Sequence, residues 1–167
     1  MNTHTAEHWI ERLGLAPHPE GGFYRETWRS AETYAFAPGA RWGGDRAFAT
    51  SIHYLLRAGE RSRLHRIASD ELWFFHAGSP LTVHQLDAAG AASSFTLGAA
   101  PPREVLSSVV PAGAWFGALL EDAQPEAFAL VSCVVAPGFD FADFALASRD
   151  ELVARFPRAR ALIERLT

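Results

Sequence analysis

The sequence predicts an all-β domain with short helices at both ends, and three observations support this fold class. Between residues 22 and 147, polar and apolar residues alternate in short runs, as they do in half-buried strands. Gly and Pro clusters separate these runs and predict turns. Apolar residues at helical spacing occur before Gly14 and again after Ser148. A chain of 167 residues, 49% of them hydrophobic, can bury a core of its own.

The amino-terminal helix is predicted over residues 6–13, where three apolar residues share one face and Gly14 supplies the stop. A tight loop follows, marked by Pro17, Pro19, Gly21 and Gly22. The first strand is predicted over residues 23–29, where side chains alternate between two faces, so that Arg25 and Glu26 point in opposite directions and at most one enters a pocket. Residues 31–45 are predicted to form a long loop.

The other strands are predicted over residues 47–57, 62–68, 71–76, 81–87, 94–97, 104–110, 115–120 and 127–136. Two helices close the chain within residues 148–166. Ser148 and Glu151 form a capping-box pattern at the first, and Pro157 ends it. We expect one domain over residues 1–167, with a barrel of about residues 22–147.

Composition excludes several classes of chemistry. All fifteen cationic side chains are arginines, so no lysine is present to form a Schiff base. A single cysteine, Cys133, excludes an internal disulfide and thiolate clusters, and its apolar strand predicts a buried, inert thiol. The net charge is -4 and the arginines are scattered, which argues against a nucleic-acid partner.

The sequence also predicts no membrane partner. The longest apolar run, residues 127–135, is far shorter than the roughly 20 residues that span a bilayer. Residues 1–11 are polar and carry two glutamates, unlike a secretory signal. We therefore expect a cytoplasmic protein.

The stretch from Gly59 to Gly78 resembles the first signature of the cupin superfamily, in which a glycine, a His-x-His, a glutamate and a second glycine follow at fixed spacing. His65 and Glu71 stand at two of its metal-ligand positions, and Ile67 replaces the second histidine. Residues 111–113, Pro-Ala-Gly, resemble the second signature, but Phe116 stands where its histidine would be. Half of the usual metal ligands are therefore missing.

Four segments look like the successive motifs of the cupin-5 family, a domain of unknown function; they are residues 19–26, 62–73, 110–116 and 135–143. The resemblance covers the chain from Trp9 to Leu166. It implies a double-stranded β-helix jelly roll, the cupin barrel, with a small-molecule pocket inside and pairing into a homodimer. It implies no particular reaction. Phe74 departs from the family, which often has a polar residue there.

Strand alternation predicts which side chains face the pocket. His65 and Ile67 share one face of their strand, and Glu71 and Trp73 share one face of the next, which leaves His76 outside. Two ligands are too few for a transition metal, so we predict neither metal nor cofactor. A third ligand would require His53 or His84 to point inward.

A histidine and a carboxylate in one apolar cavity suit general acid–base chemistry. We predict a metal-independent isomerase or epimerase acting on a small polar or sugar-like substrate, with His65 as base, Glu71 as its partner and Tyr24 or Tyr54 as acid. Predicted substrate-binding residues are Arg25, Ser62, Arg66, Trp73, Trp115 and Phe116. The alternatives are a binding protein without turnover, a polar pair that only fixes the barrel, or a metal-binding cupin with a depleted ligand set.

Overall fold

The computed structural model describes residues 4–122 and 124–167, and these form the predicted β-rich fold with helices at both ends. Its strands are β1 (Ala16–Pro17), β2 (Phe23–Arg29), β3 (Thr33–Ala35), β4 (Asp45–Ala47), β5 (Thr50–Arg57), β6 (Arg61–Arg66), β7 (Asp70–Gly78), β8 (Leu81–Leu86), β9 (Ala92–Leu97), β10 (Ser107–Val110), β11 (Trp115–Leu120), β12 (Phe128–Ala136) and β13 (Ala145–Leu146). The helices are α1 (Ala6–Leu13), α2 (Arg149–Arg155) and α3 (Arg160–Leu166).

Two antiparallel sheets face each other. One has the strand order β1-β2-β5-β12-β7-β10, and the other has the order β13-β6-β11-β8-β9. Apart from the pairs β1–β2 and β8–β9, neighbours in each sheet are not consecutive in sequence, as expected for a jelly roll. The sheets do not close into a continuous barrel, and β3 pairs only with β4 in a separate hairpin.

The main core lies between the two sheets, because their strands present large apolar side chains toward each other. Tyr54, Trp73 and Phe116 are among its largest members, and each is at least 98% buried. Burial of this much apolar surface is the dominant favourable contribution to folding.

The helices cover the outer faces of the sheets. Helix α1 packs against β5 and β12 through Leu55 and Leu130, and Gly14 ends it in the left-handed conformation. Helices α2 and α3 pack Leu152 and Ile163 on the other sheet. No helix in residues 4–122 and 124–167 is long and apolar enough to cross a membrane.

The structure differs from the sequence-based prediction at several local features, among them β1 and β13, which were not predicted as strands. The predicted loop over residues 31–45 contains the hairpin β3–β4, which is too short to give a strand pattern. Ser148 is the amino-terminal cap residue of α2, as predicted, but its side chain makes no capping hydrogen bond. The predicted position of the helix start is therefore confirmed, whereas the predicted capping hydrogen bond is absent.

Candidate functional site

A cavity of about 640 Å³ opens between the two sheets and near the loop that joins α1 to β2. Its wall is mainly apolar, and its polar side chains gather on one side. The polar and charged residues that line it are His18, Glu20, Tyr24, Arg25, Glu26, Arg29, Thr50, Tyr54, His65, Glu71, Trp73, Cys133 and Asp140. This is the volume range of small-molecule sites in proteins.

The loop over residues 14–22 brings Glu20 into the cavity. The loop turns at Gly21 and Gly22, whose φ angles are 116° and 70°, and a Cβ on Gly21 would collide with the Arg61 carbonyl. Tyr54 donates a hydrogen bond to the Gly21 carbonyl (2.8 Å), and the backbone N–H of Arg63 donates to the Glu20 carbonyl (2.9 Å). These contacts hold the loop against β5 and β6.

His65 pairs with Glu20. Its Nε2 lies 3.1 Å from Glu20 Oε2, and its Nδ1 lies 2.7 Å from the Arg63 carbonyl oxygen. Because a carbonyl only accepts, Nδ1 carries a hydrogen. Ser62 donates to the other carboxyl oxygen, Oε1, at 2.7 Å. Both side chains are more than 90% buried, so the pair is held in one arrangement.

A second imidazole, His18, lies on the same carboxyl group. Its Nδ1 is 3.4 Å from Glu20 Oε2 and accepts the backbone N–H of Glu20 at 3.2 Å. Burial lowers the pKa of His18; the Glu20 carboxylate opposes this effect, and His65 adds to it. The Tyr24 ring contacts His18 edge-on, with centroids 4.4 Å apart. His18 is therefore a neutral ring at the cavity wall near pH 7.

Glu71 is the second carboxyl group of the cavity, and it is uncharged at neutral pH. Burial raises its pKa from the ordinary 4.5 to about 8, and the negative charge of Glu20 adds to the effect. The Cys133 thiol contacts the Glu71 carboxyl and opposes the shift. Burial and Glu71 together raise the pKa of Cys133 well above its usual range, as expected for an unreactive thiol. The cavity thus holds one carboxyl group beside imidazoles and one neutral carboxylic acid.

Trp73 and Tyr54 form the inner wall, each with an exposed fraction of 1%. The Trp73 Nε1 is buried and has no hydrogen-bond partner within the described part of the chain. The Tyr54 hydroxyl is engaged with Gly21, and burial raises its pKa well above the usual range. Tyr54 therefore fixes the loop, and Tyr24 is the predicted tyrosine that lies closer to the opening.

Residues of β2 form the mouth of the cavity. The prediction that only one of Arg25 and Glu26 enters is wrong, because both residues line the cavity although they alternate along β2, Arg25 opposite His53 and Glu26 opposite Ile52. Arg25 Nη1 donates to the Leu13 carbonyl at 2.9 Å, and Arg29 pairs with Glu26 at 2.7 Å. Arg25 forms no ion pair with any residue that the structure describes.

Four predicted binding residues do not line the cavity. Ser62 lies behind Glu20, and the Phe116 ring packs on His65 with centroids 4.1 Å apart. Arg66 and Trp115 lie on the outer face of their sheet, where the guanidinium sits 4.9 Å from the centre of the indole ring. Alternation explains this placement, since His65 and Phe116 occupy the inner face of the same two strands.

The histidines considered as further metal ligands also lie elsewhere. His53 Nδ1 and His76 Nε2 both contact Ser132 Oγ, at 3.0 and 2.6 Å, on the face of β12 away from the cavity. His84 approaches Glu121 at 3.8 Å. Ile67 and Phe116 offer no donor atoms. Over residues 4–122 and 124–167, no three His, Cys, Asp or Glu side chains are arranged to hold a metal ion.

Sequence reasoning expected Glu71 as the partner of His65, whereas the structure places Glu20 there. His18 and Glu20 were not among the predicted site residues, because they lie on a loop and not on a barrel strand. The sequence nevertheless marks Glu20 as a candidate, because it lies between Pro19 and the Gly21-Gly22 turn in the first of the four family motifs. A loop so tightly constrained by proline and glycine often positions a functional side chain.

Comparison with known proteins agrees with the fold. The sequence model described as Cupin superfamily (DUF985) matches residues 7–147. A crystal structure of a Shewanella oneidensis protein is 38% identical, with a TM-score of 0.86 over 99% of this chain and 98% of that one. A hypothetical protein from Leishmania major is 37% identical, with a TM-score of 0.88 over 98% and 99% of the two chains.

A more distant structural match is the oxalate decarboxylase of Lactobacillus farciminis in a formate complex. It is 13% identical, with a TM-score of 0.56 over 93% of this chain and 42% of that chain. At this identity the match reflects the fold alone. No curated protein matches the sequence.

Proposed function

The chain belongs to the Cupin_5 family of the cupin superfamily, and we propose that it is an isomerase or epimerase that moves a proton on a carbon atom of a small polar or sugar-like molecule without a metal ion. One observation carries this proposal. A single cavity contains the His65–Glu20 pair and, separately, the neutral carboxylic acid of Glu71. Two groups whose environments drive their protonation states apart are the requirement for an acid and a base in one site.

In this proposal the carboxyl group of Glu20 accepts the proton from carbon, because both ring nitrogens of His65 already have partners. The His65 imidazole lies against this carboxyl group and orients it for the transfer. Ser62 and the Arg63 carbonyl hold the pair in place, so little reorganisation accompanies the transfer. Glu71 then returns a proton to the substrate. Return to the opposite face of the same carbon is an epimerisation, and return to a different carbon is an isomerisation.

Arg25 supplies the charge that attracts a negatively charged group of the substrate. Its guanidinium lines the mouth, retains donors beyond the one used by Leu13, and is exposed. A planar guanidinium binds a carboxylate or phosphate through two parallel hydrogen bonds. The substrate is therefore expected to carry its anionic group at the mouth and its reacting carbon deeper in the cavity.

The test is exchange of carbon-bound hydrogen for solvent deuterium. The protein is incubated in D₂O with a panel of oxo acids, hydroxy acids, aldoses and ketoses, and loss of C–H signals is followed by proton NMR. We expect exchange with at least one compound, and we expect Glu20→Gln and Glu71→Gln each to slow it by about 100-fold or more. Glu164→Gln, an exposed residue of α3, is the matched control and should exchange at the wild-type rate.

A second function, ligand binding without turnover, is favoured by a specific observation. Both ring nitrogens of His65 already have partners within the protein, as in a purely structural polar pair. Thermal-shift measurements with the same panel distinguish the two functions. A compound that raises the unfolding midpoint without any exchange above the buffer rate would contradict the enzyme proposal and support binding alone.

A further inference from the structure

The inner wall of the cavity contains a hydrogen-bond donor that the protein itself does not use. Trp73 Nε1 is buried, the indole is 1% exposed, and within the described residues this N–H has no acceptor. A buried N–H without a partner is unfavourable, so its retention in a cavity wall points to an acceptor supplied from outside the protein.

A second donor lies beside it. Glu71 and Trp73 are alternate residues of β7, and both line the cavity. Alternate residues of a strand point to the same face and are separated by about 6.6 Å along it. The two side chains therefore present their donors to the same cavity.

We propose that the Trp73 indole N–H and the Glu71 carboxyl group form a two-donor subsite for a carbonyl oxygen, which makes the substrate of the proposed proton transfer a carbonyl compound. This inference rests on the proposed function and names its substrate class. Glu71 can donate because its carboxyl is protonated at neutral pH, its pKa being about 8. A carboxylate at the same position would instead repel the oxygen.

The charges of the wall favour a neutral carbonyl over a carboxylate at this subsite. The two arginines of the lining, Arg25 and Arg29, come from β2 and are exposed, whereas Glu71 and Trp73 are more than 90% buried. An anion placed at the inner end would be desolvated without a cation beside it, and this is costly. A carbonyl oxygen needs only the two neutral donors.

The subsite also fits the chemistry of the transfer. When the C–H bond next to the carbonyl breaks, its proton goes to the His65–Glu20 pair, its electron pair forms a carbon–carbon double bond, and the carbonyl oxygen takes up negative charge. Donors placed beside that oxygen stabilise it most as the charge develops. The Glu71 proton is then delivered to carbon, as in the proposed function, and this restores the carbonyl without consuming an oxidant, reductant or other reactant.

The test compares pairs of molecules that differ only in the carbonyl. The probes are pyruvate with lactate, acetoacetate with 3-hydroxybutanoate, and levulinate with 4-hydroxypentanoate, which place the carbonyl at increasing distance from the carboxylate. Binding to the full chain is measured by calorimetry at pH 7. We expect the oxo member of at least one pair to bind about tenfold or more tightly than its hydroxy counterpart.

Trp73→Phe keeps an aromatic ring and removes the N–H, and it should abolish this preference. Because the smaller ring leaves a cavity in the core, the variant should unfold below the wild-type midpoint, and binding is compared at a temperature where it remains folded. Trp115→Phe, on the outer face of its sheet, is the matched control and should retain the preference. Equal binding within every pair, no binding of any probe, or a preference that survives in Trp73→Phe would each overturn the inference.

Failure of this inference is distinguishable from failure of the proposed function. An oxo preference that depends on Trp73, without hydrogen exchange in D₂O, supports the subsite and contradicts the proton transfer. Exchange without any dependence on Trp73 supports the proton transfer and contradicts the subsite.

Discussion

At the scale of single residues, the site depends on the different environments of two carboxyl groups. Glu20 accepts a hydrogen bond from the Ser62 hydroxyl and has one nitrogen of each of His65 and His18 near its other oxygen. Glu71 has apolar neighbours, a thiol and the charge of Glu20. Environment, rather than residue type, therefore distinguishes the two glutamates.

The neutral state of Glu71 predicts a pH dependence of stability. Between about pH 4.5 and pH 8 the unfolded chain ionises Glu71 while the folded chain keeps it protonated, so unfolding releases a proton. The free energy of unfolding should therefore fall as the pH rises through this window, by up to about 1.4 kcal/mol per pH unit from this residue. Urea denaturation at several pH values measures it.

Glu71→Gln isolates this effect, because the amide does not titrate. The variant should gain stability relative to wild type as the pH rises from about 4.5 to 8. The exposed control Glu164→Gln should run parallel to wild type. A constant difference between Glu71→Gln and wild type over this range would contradict a raised pKa for Glu71.

At the scale of secondary-structure elements, the loop between α1 and β2 determines whether the site exists. The turn at Gly21 and Gly22 lets Glu20 reach His65, which is 45 positions later in the chain. Gly21 has a backbone conformation that side chains rarely adopt, and it lies directly on the Arg61 carbonyl.

Gly21→Ala should therefore destabilise the protein by at least about 2 kcal/mol more than Gly59→Ala does. Gly59 also has a positive φ of 80°, but a Cβ there would meet no atom within 4 Å. The comparison separates backbone strain, common to both, from the collision at Gly21. Chemical denaturation measures the difference, and equal losses would contradict the close approach of the loop to β6.

The same loop marks the limit of prediction from sequence. Short runs of alternating or continuous apolar residues, bounded by turn residues, predicted β5, β7 and β12. It did not predict that Glu20 would replace Glu71 as the partner of His65, since that contact depends on how a loop folds over a distant strand. The register shift in β2 was missed for a related reason, because a bulge changes the backbone without a required residue type.

At the scale of the whole molecule, the two sheets enclose the cavity, and the exposed edge strands of the sheets are candidate surfaces for pairing with a second chain. The homodimer implied by the family resemblance stays a prediction. Edge strand β10 and the turn before it expose apolar side chains, with Leu106 at 66% and Val109 at 46%. Unprotected edges of this kind favour pairing with another chain.

Sedimentation equilibrium should therefore give twice the mass of the chain. Val109→Arg should shift the equilibrium toward the monomer, because a charge would be buried in the interface. Ser93→Arg, an exposed position on edge strand β9, is the matched control and should leave the mass unchanged. A wild-type monomer at all concentrations would contradict the prediction.

The central claim is that the His65 imidazole contacts Glu20 and that Glu71 stands apart as a neutral acid. Nitrogen-15 NMR of the labelled histidine rings at pH 7 tests this most directly. The account predicts that Glu20→Gln shifts the Nε2 resonance of His65 strongly and that Glu71→Gln leaves it nearly in place. A strong shift in Glu71→Gln together with no shift in Glu20→Gln would contradict it.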